Sequence, residues 1–359
     1  MFNPDEPFFL QWHITDQCNF NCVHCYRDSI KQDLSYDGLK RVFSNFERLR
    51  ALMHQKKARV QIAGGEPLLS GHLFSVLELI ANAGFQSRIL TNGSLIDPAN
   101  AKRIKDCGCH IVQISIDGAP DTHDAIRGRG NYQRAVEGAG YLRERDIQVT
   151  FAMTLTKRNK AEIGLVFDEA RKYANRLSFH RLVPCGRGSD LKKDLLTKEE
   201  IKKVFDEIWR LRNSDSSLEI PLRDPLWKPY IRCLNLEPYA DGCSVGYGGI
   251  CIESNGDVYP CRRLPVKLGN ALSEELTDIW HSSLLNQLRN RDLLKGRCST
   301  CSLRWKCGGC RAIGLAVKDD MFAEDPQCFC QLSFLENLAF KMINRLNRNS
   351  YHDFSQGGG

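Results

Sequence analysis

The sequence predicts an α/β fold: a partial (β/α)6 barrel with a parallel sheet, followed by a smaller cysteine-rich domain. Three observations lead to this prediction. Six short β-rich runs alternate with amphipathic segments between Phe8 and Leu182. Polar or glycine-containing motifs follow directly after four of these runs. From about Tyr239 to Cys330 the chain is instead rich in cysteine and glycine and has few periodic segments.

The composition excludes several classes of protein. The chain has 359 residues, 42% hydrophobic and 26% charged, enough to bury the cores of two domains. No apolar run approaches the roughly 18 residues of a membrane helix, and acids open the N-terminus where a signal peptide has a basic segment. We therefore expect a cytoplasmic protein without a membrane contact. The formal net charge of +7 is scattered, so no nucleic-acid partner is expected.

Each predicted strand is followed by a helical segment before the next strand begins. The strands are predicted at Phe8–Ile14, Ala58–Ala63, Ser87–Leu90, His110–Ile116, Gln148–Leu155 and Leu177–Leu182. Apolar spacing predicts helices such as Leu39–Met53 and Ala99–Lys105. Thr197 and Glu200 form a capping box at the start of a further helix, Glu199–Arg212. Such repeated units build a parallel sheet with right-handed crossovers.

The loops after the strands carry the motifs of a binding site. They are Thr15 to Tyr26 after the first strand, Gly64 to Pro67 after the second, Thr91 to Gly93 after the third and Asp117-Gly118 after the fourth. Because the carboxyl ends of parallel strands meet at one edge of the sheet, these motifs predict a single site there.

Cys18, Cys22 and Cys25 form a C-x3-C-x2-C motif in the first of these loops. In a chain without a secretion signal, closely spaced cysteines predict metal or cluster ligands before disulfides. Three thiolates at this spacing can hold three irons of a [4Fe–4S] cluster and leave the fourth iron open to a small molecule. The alternative is a structural zinc site, for which His24 is an awkward fourth ligand.

The stretch from Cys18 to Tyr26 closely resembles the cluster motif of radical S-adenosylmethionine (SAM) enzymes. The resemblance implies that Cys18, Cys22 and Cys25 hold a cluster whose open iron binds the methionine part of SAM. Reduction then splits SAM into methionine and a 5′-deoxyadenosyl radical, which abstracts hydrogen from a substrate. A flavodoxin or ferredoxin is the expected electron donor.

The same resemblance assigns SAM-binding roles after the second and fourth strands. Gly64, Gly65 and Glu66 correspond to the segment that binds the methionine ammonium, and the glycines permit a close approach of the backbone. Ser115 and Asp117 correspond to the segment that contacts the ribose. A plain strand-end turn is the alternative for these last two.

Three further residues are candidates for the same ligand. Asn92 would orient it, Arg127 would offer a guanidinium to the methionine carboxylate, and Tyr26 would lie beside the adenine. A structural role explains each of the three equally well.

A second group of cysteines lies in the C-terminal part. Their spacing is Cys243-x7-Cys251-x9-Cys261, then Cys298-x2-Cys301-x5-Cys307-x2-Cys310, then Cys328. These eight thiolates suffice for two more [4Fe–4S] clusters without an open iron, which makes three clusters in the chain. Zinc ribbons are the alternative for the two CxxC pairs. Metal is expected to replace part of a hydrophobic core here.

This second pattern resembles the SPASM extension of radical SAM enzymes. The resemblance implies one auxiliary cluster on Cys243, Cys251, Cys261 and Cys310, and another on Cys298, Cys301, Cys307 and Cys328. Some members lack an equivalent of Cys251, and their first auxiliary cluster then keeps an open iron. The remaining cysteines are predicted to be structural, with Cys233 also considered on the substrate side; they are Cys107, Cys109, Cys185, Cys233 and Cys330.

Together the patterns predict four regions. They are the barrel at 1–217, a linker at 218–238, the SPASM domain at 239–331 and a C-terminal helix and tail at 332–359. The helix of the last region is predicted at Leu332–Leu346.

The substrate is the part that the resemblance leaves open. Enzymes of this architecture modify ribosomally made peptides, trim acetate or propionate arms from tetrapyrroles, or oxidise Ser or Cys in sulfatases. The sulfatase branch has an Asp where Arg262 follows Cys261 here, so that branch is disfavoured. A non-catalytic electron carrier is disfavoured too, because it needs no open cluster. Arg262 and Arg263 suit an anionic group, or lie in a solvated turn.

We therefore expect a radical SAM enzyme that modifies a ribosomally synthesised peptide, with tetrapyrrole side-chain removal as the alternative. Many peptide-modifying relatives begin with a leader-recognition domain, whereas the first strand here is predicted from Phe8. A peptide-modifying enzyme of this kind would therefore need a separate leader-recognition subunit, or would bind its peptide on the cysteine-rich domain.

Overall fold

The computed structural model describes residues 7–28, 30–55, 57–237 and 242–330. Six strand–helix units follow one another, and the predicted partial barrel is confirmed. Its strands are β1 Phe8–His13, β2 Ala58–Ala63, β3 Gln86–Thr91, β4 Ile111–Ser115, β5 Gln148–Leu155 and β6 Arg176–Arg181. Its helices are α1 Tyr36–Leu52, α2 Leu73–Asn82, α3 Pro98–Asp106, α4 Pro120–Arg127, α5 Asn131–Arg143, α6 Ile163–Tyr173 and α7 Lys198–Ser214.

The six strands lie side by side in chain order and pair in parallel. Within the described residues β1 and β6 are not neighbours, so the sheet stays open. Beyond β1 the same sheet continues with β7 Gly249–Ile252, β8 Asp257–Tyr259 and β9 Gly269–Asn270. β7 is parallel to β1, and β8 and β9 follow antiparallel. The cysteine-rich part thus shares the sheet of the barrel, which the sequence pattern did not predict.

Gly249 allows β7 to approach β1 closely, because a Cβ at this position would overlap the carbonyl oxygen of Phe9. Along β7, Ile250 and Ile252 belong to the hydrophobic core. Since successive side chains of a strand point to opposite faces, Cys251 faces the interior of the barrel.

The core lies between the sheet and the helices on its outer face. From β1, Trp12 stacks on Phe43 of α1 with ring centroids 6.2 Å apart. Phe8 packs against Phe46 of α1 at 5.8 Å and against Trp280 at 5.2 Å, which ties the C-terminal part to the barrel. The remaining helices are α8 Trp227–Cys233, α9 Leu276–Trp280, α10 Ser283–Arg289 and α11 Arg311–Lys318. Polar side chains are left for the inner face and the strand ends.

Residues 218–231, in the region predicted as a linker, pack against the barrel, whereas residues 232–237 are exposed. Leu218 and Ile220 are buried, and Trp227 stacks on Phe205 of α7 with ring centroids 4.0 Å apart. The capping box of Thr197 and Glu200 is present at the start of α7, as predicted.

Two expectations from the sequence concern helices: one at the C-terminus, and the absence of one that spans a membrane. The predicted helix Leu332–Leu346 lies outside the described residues. Across the described part of the chain, no helix has both the length and the apolar character to cross a membrane.

Candidate active site

A cavity of about 230 Å³ opens at the carboxyl ends of the strands. Cys18, Cys22 and Cys25 line it together, on the loop after β1. Gly188 fixes this loop by donating a backbone hydrogen bond of 3.0 Å to the carbonyl of Cys25. Burial raises the pKa of Cys18 to about 11, and the charges of Cys22 and Cys25 contribute to that shift. Three thiols around one cavity fit a cluster that keeps an open iron.

Most of the predicted SAM-site residues line this cavity. Those that do are Tyr26, Gly64, Gly65, Asn92, Ser115 and Arg127. Glu66 and Asp117 are 0% exposed and act on the cavity through neighbouring residues.

Gly64 and Gly65 let the loop after β2 pack closely against the loop after β1, Thr15 to Tyr26, which carries Cys18, Cys22 and Cys25 and is called the cluster loop below. The Gly65 nitrogen donates a 2.8 Å hydrogen bond to the carbonyl of Thr15, and the Glu66 nitrogen donates one of 2.7 Å to that of Gln17. A Cβ on either glycine would overlap backbone oxygens of the cluster loop. The glycines are therefore required for this contact, whether or not a ligand is bound.

Glu66 holds the loop after β3. Its carboxylate accepts hydrogen bonds of 2.8 Å from the Asn92 nitrogen and from the Thr91 hydroxyl, and one of 3.2 Å from the Leu68 nitrogen. Burial raises the pKa of Glu66 to about 7 despite these bonds. Asn92 in turn donates to the side chain of Asn19 at 2.9 Å. In this structure Glu66 positions Asn92, which reaches both the cavity and the cluster loop.

Asp117 is the centre of a buried charge cluster. Its carboxylate binds Arg127 Nε at 2.6 Å and His24 Nε2 at 3.0 Å, and it accepts a 2.7 Å hydrogen bond from the Thr154 nitrogen. Burial would raise its pKa, but Arg127 and His24 hold the pKa of Asp117 well below its usual range. Arg127 also donates to Cys22 Sγ at 3.7 Å. Asp117, predicted to contact the ribose, here positions Arg127 beside Cys22, a predicted cluster ligand.

Tyr26 joins the cavity to a buried network behind it. Its hydroxyl lies 3.3 Å from His13 Nε2, and His13 Nδ1 lies 3.0 Å from Glu253. The guanidinium of Arg262 lies 5.8 Å from the centre of the Tyr26 ring. His13 and Glu253 were not predicted as site residues. The sequence signal that could have found them is a polar side chain at the carboxyl end of a strand.

The first group of C-terminal cysteines consists of Cys243, Cys251, Cys261 and Cys310. Burial raises the pKa of Cys310 to about 12, with a contribution from Cys243, and it raises that of Cys251, with a contribution from Cys261. The possible ligand atoms of Cys251, His13 and Glu253 lie within 4.8 Å of one another. Cys251 therefore has two polar neighbours, His13 and Glu253, in addition to the other cysteines of this group.

The second group consists of Cys298, Cys301, Cys307 and Cys328. Burial raises the pKa of Cys301, Cys307 and Cys328, and Cys298 contributes to each shift. Cys330 forms a side-chain hydrogen bond with Cys233, and Cys328 is also near it. Two cysteines predicted to be structural thus lie against this group.

Comparison with known proteins gives the family. The profile of the Radical SAM superfamily matches residues 12–170, and that of the SPASM iron–sulfur cluster-binding domain matches residues 243–302. The mycofactocin maturase MftC of Mycobacterium tuberculosis is 30% identical over 344 residues, which cover 90% of this chain and 83% of MftC. The chain belongs to the radical SAM superfamily. An AdoMet-dependent heme synthase of Methanosarcina barkeri is 28% identical over 349 residues, covering 90% of this chain and 97% of that enzyme.

The fold of this radical SAM enzyme is also that of a solved relative. SuiB of Streptococcus suis, solved with S-adenosylmethionine, has a TM-score of 0.72 at 19% identity, over 91% of this chain and 78% of SuiB. SuiB has also been solved with its precursor peptide SuiA. The predicted family and its SPASM domain are therefore confirmed. [4Fe–4S] clusters and SAM are the cofactors that these two domains imply.

Proposed function

We propose that this radical SAM enzyme acts on a tetrapyrrole and oxidatively removes carboxylate groups from its side chains. The match to the heme synthase carries the proposal, because it spans 90% of this chain and 97% of that enzyme. The sequence alone favours a peptide substrate, with a tetrapyrrole as the alternative, and this relative supports the alternative. The cavity also suits such a substrate, because apolar Phe20, Leu182 and Val183 line it together with guanidinium groups.

In this proposal the thiols of Cys18, Cys22 and Cys25 hold the SAM-binding cluster. The two C-terminal groups of four cysteines hold one auxiliary cluster each, which makes three clusters in the chain. When bound, the first cluster and SAM supply a 5′-deoxyadenosyl radical that takes a hydrogen atom from the substrate.

The residues of the chain position and shield this chemistry. The backbone of Gly64 and Gly65 forms the wall that SAM would contact, and Glu66 fixes Asn92 at its edge. Asp117 keeps Arg127 in place near Cys22.

A propionate arm that loses a hydrogen atom next to the ring becomes a vinyl group when it also loses CO2 and one electron. A one-electron iron–sulfur acceptor is therefore part of the proposal, with a flavodoxin or ferredoxin as the donor for SAM cleavage.

Peptide modification is the second candidate. It is favoured by the 30% identity to the mycofactocin maturase and by the fold shared with SuiB. A separate leader-recognition subunit belongs to this candidate alone.

The test is anaerobic turnover of the reconstituted holoenzyme with SAM, a reductant and iron coproporphyrin III, followed by mass spectrometry. We expect loss of CO2 and two hydrogens from a propionate arm, dependent on Cys22. A parallel reaction contains the small peptide encoded beside this gene, where there is one. A modified peptide with an unchanged tetrapyrrole would refute the proposal in favour of the second candidate.

A further inference from the structure

A tight turn directly after Cys261 carries two arginines into the active-site cavity. The Leu264 nitrogen donates a 3.0 Å hydrogen bond to the Cys261 carbonyl, and the two residues form an isolated antiparallel bridge. Arg262 and Arg263 occupy the two corners of this turn, and both line the cavity. The two arginines are half-buried in this turn, where they border the cavity.

The charges of this part of the cavity are not balanced by protein carboxylates. Arg27 and Arg181, which also line the cavity, are both paired with acids. Among the described residues no carboxylate lies within ion-pair distance of Arg262, Arg263 or Arg187, although all three line the same cavity.

Arg263 and His180 lie on the side of the cavity formed by β6 and the turn, whereas Arg187 lies against the loop after β1, where its backbone nitrogen donates a 3.2 Å hydrogen bond to the Arg27 carbonyl. Arg263 donates from Nη1 to the carbonyl of Arg181 at 3.1 Å, while its buried Nε has no partner among the described residues. His180, on β6 beside Thr154, likewise has a buried Nε2 without a described partner. Burial lowers the pKa of His180, so it offers a neutral N–H or lone pair there. Buried polar groups without partners are rare in folded proteins, and they favour a bound ligand that satisfies them.

The turn that carries Arg262 and Arg263 lies close to both halves of the enzyme. Arg262 lies over the ring of Tyr26, which follows the cluster cysteine Cys25. Cys261, at the start of the turn, belongs to the first C-terminal cysteine group. An anion held by the turn would therefore lie between the SAM site and this group.

We propose that Arg262, Arg263, Arg187 and His180 form the subsite that binds a substrate carboxylate during turnover. The proposal deepens the proposed function and rests on it, since the carboxylate would be that of a tetrapyrrole side chain. A guanidinium matches a carboxylate with two parallel hydrogen bonds. Arg263 is also near the thiols of Cys310 and Cys261 and the carboxylate of Asp224. Arg262 and Arg187 have no carboxylate within ion-pair distance among the described residues, so a substrate carboxylate can pair with them. Exposed Asp28 also lines the cavity, and both Asp28 and Arg263 act on the thiol of Cys185.

The test compares the binding of iron coproporphyrin III and of its fully methyl-esterified form by anaerobic absorbance titration of the SAM-loaded holoenzyme. We expect wild type to bind the acid at least about tenfold more tightly than the ester, because a charge-assisted pair is lost in the ester. Arg262→Gln and Arg187→Gln should each weaken binding of the acid and leave binding of the ester unchanged. Arg262→Lys should restore part of the preference, because it keeps the charge but not the paired geometry.

Arg145→Gln is the matched control. Arg145 is exposed in the loop before β5, at the opposite end of the strands, so this variant should bind both forms as wild type does. Because Arg187 is exposed at the cavity, its variant keeps the test valid even if Arg262→Gln does not fold.

Two results would overturn the inference, and they distinguish failure of the subsite alone from failure of the proposed function. If wild type binds acid and ester equally, or if both glutamine variants keep the preference, the subsite is wrong while tetrapyrrole turnover stands. If wild type binds neither form and does not turn the acid over, the proposed function fails together with the subsite.

Discussion

Alanine in place of Gly65 should push the cluster loop away from the SAM site. The new Cβ would lie 2.6 Å from the carbonyl oxygen of Asp16 and would overlap that of Gln17. Both obstacles are backbone atoms, so no side-chain rotation can relieve the contact. Overpacking of this kind costs about 1–3 kcal/mol. Separating the loops also breaks two backbone hydrogen bonds, from Gly65 to Thr15 and from Glu66 to Gln17, at about 1 kcal/mol each.

The expected loss is therefore about 3–5 kcal/mol in the free energy of unfolding, together with weaker SAM binding. Gly71→Ala is the matched control, because a Cβ at Gly71 meets no atom within 4 Å. Both variants are compared with wild type as reconstituted holoenzymes, by anaerobic thermal unfolding, iron content and SAM titration. If Gly65→Ala unfolds and binds SAM like Gly71→Ala, the close approach of the two loops is not needed and the argument fails.

Three further outcomes follow from the site. Cys22→Ala should abolish SAM cleavage. Cys107, a half-buried cysteine at the C-terminal end of α3, is the control, and Cys107→Ala should leave SAM cleavage intact. Formation of 5′-deoxyadenosine by Cys22→Ala would contradict the assignment. The iron content should approach about twelve irons per chain. Cys301→Ala should lower the iron content and form no product, while keeping some SAM cleavage. An iron content of about four per chain in wild type would exclude the auxiliary clusters. Because burial raises the pKa of Glu66 to about 7 from 4.5, the SAM-free enzyme should lose up to about 3 kcal/mol of stability as pH rises through this range. Glu66→Gln should remove this slope in thermal unfolding curves, and an unchanged slope would assign it to other groups.

The order of the strands could be predicted because each strand carries its own local signal. β2 and β5 begin and end at the predicted residues, since alternating β-rich residues are bounded by loops on both sides. The joining of β7 to β1 could not be predicted in the same way. Gly249–Ile252 is a run of four residues without a period, and its partner lies near the other end of the chain. The close approach at Gly249 and the burial of Ile250 and Ile252 favour the pairing, but four residues carry too little pattern to predict it from the sequence.

The chemistry of the site was predictable where a motif is local, and not where the partner comes from another element. The spacing of Cys18, Cys22 and Cys25 is sufficient to bring three thiols to one cavity. The partners of Asp117, in contrast, are on the cluster loop and at the end of α4, so its burial depends on how these elements pack. For the same reason Arg187 and His180 were not predicted, since the role proposed for them depends on the turn after Cys261.

The separation between the SAM site and the first C-terminal cysteine group is set by strand register. The cluster loop leaves the end of β1, and β7 pairs with β1 so that Cys251 lies opposite Gln11. β8 continues the sheet and leads directly into Cys261 and the arginine turn. Because the side-chain period of a strand is two residues, a slip of one residue would turn Cys251 into the hydrophobic core and move the turn away from Tyr26. A flexible connection between two domains could not do this: the shared sheet would hold the proposed carboxylate subsite at a constant distance from the proposed SAM site.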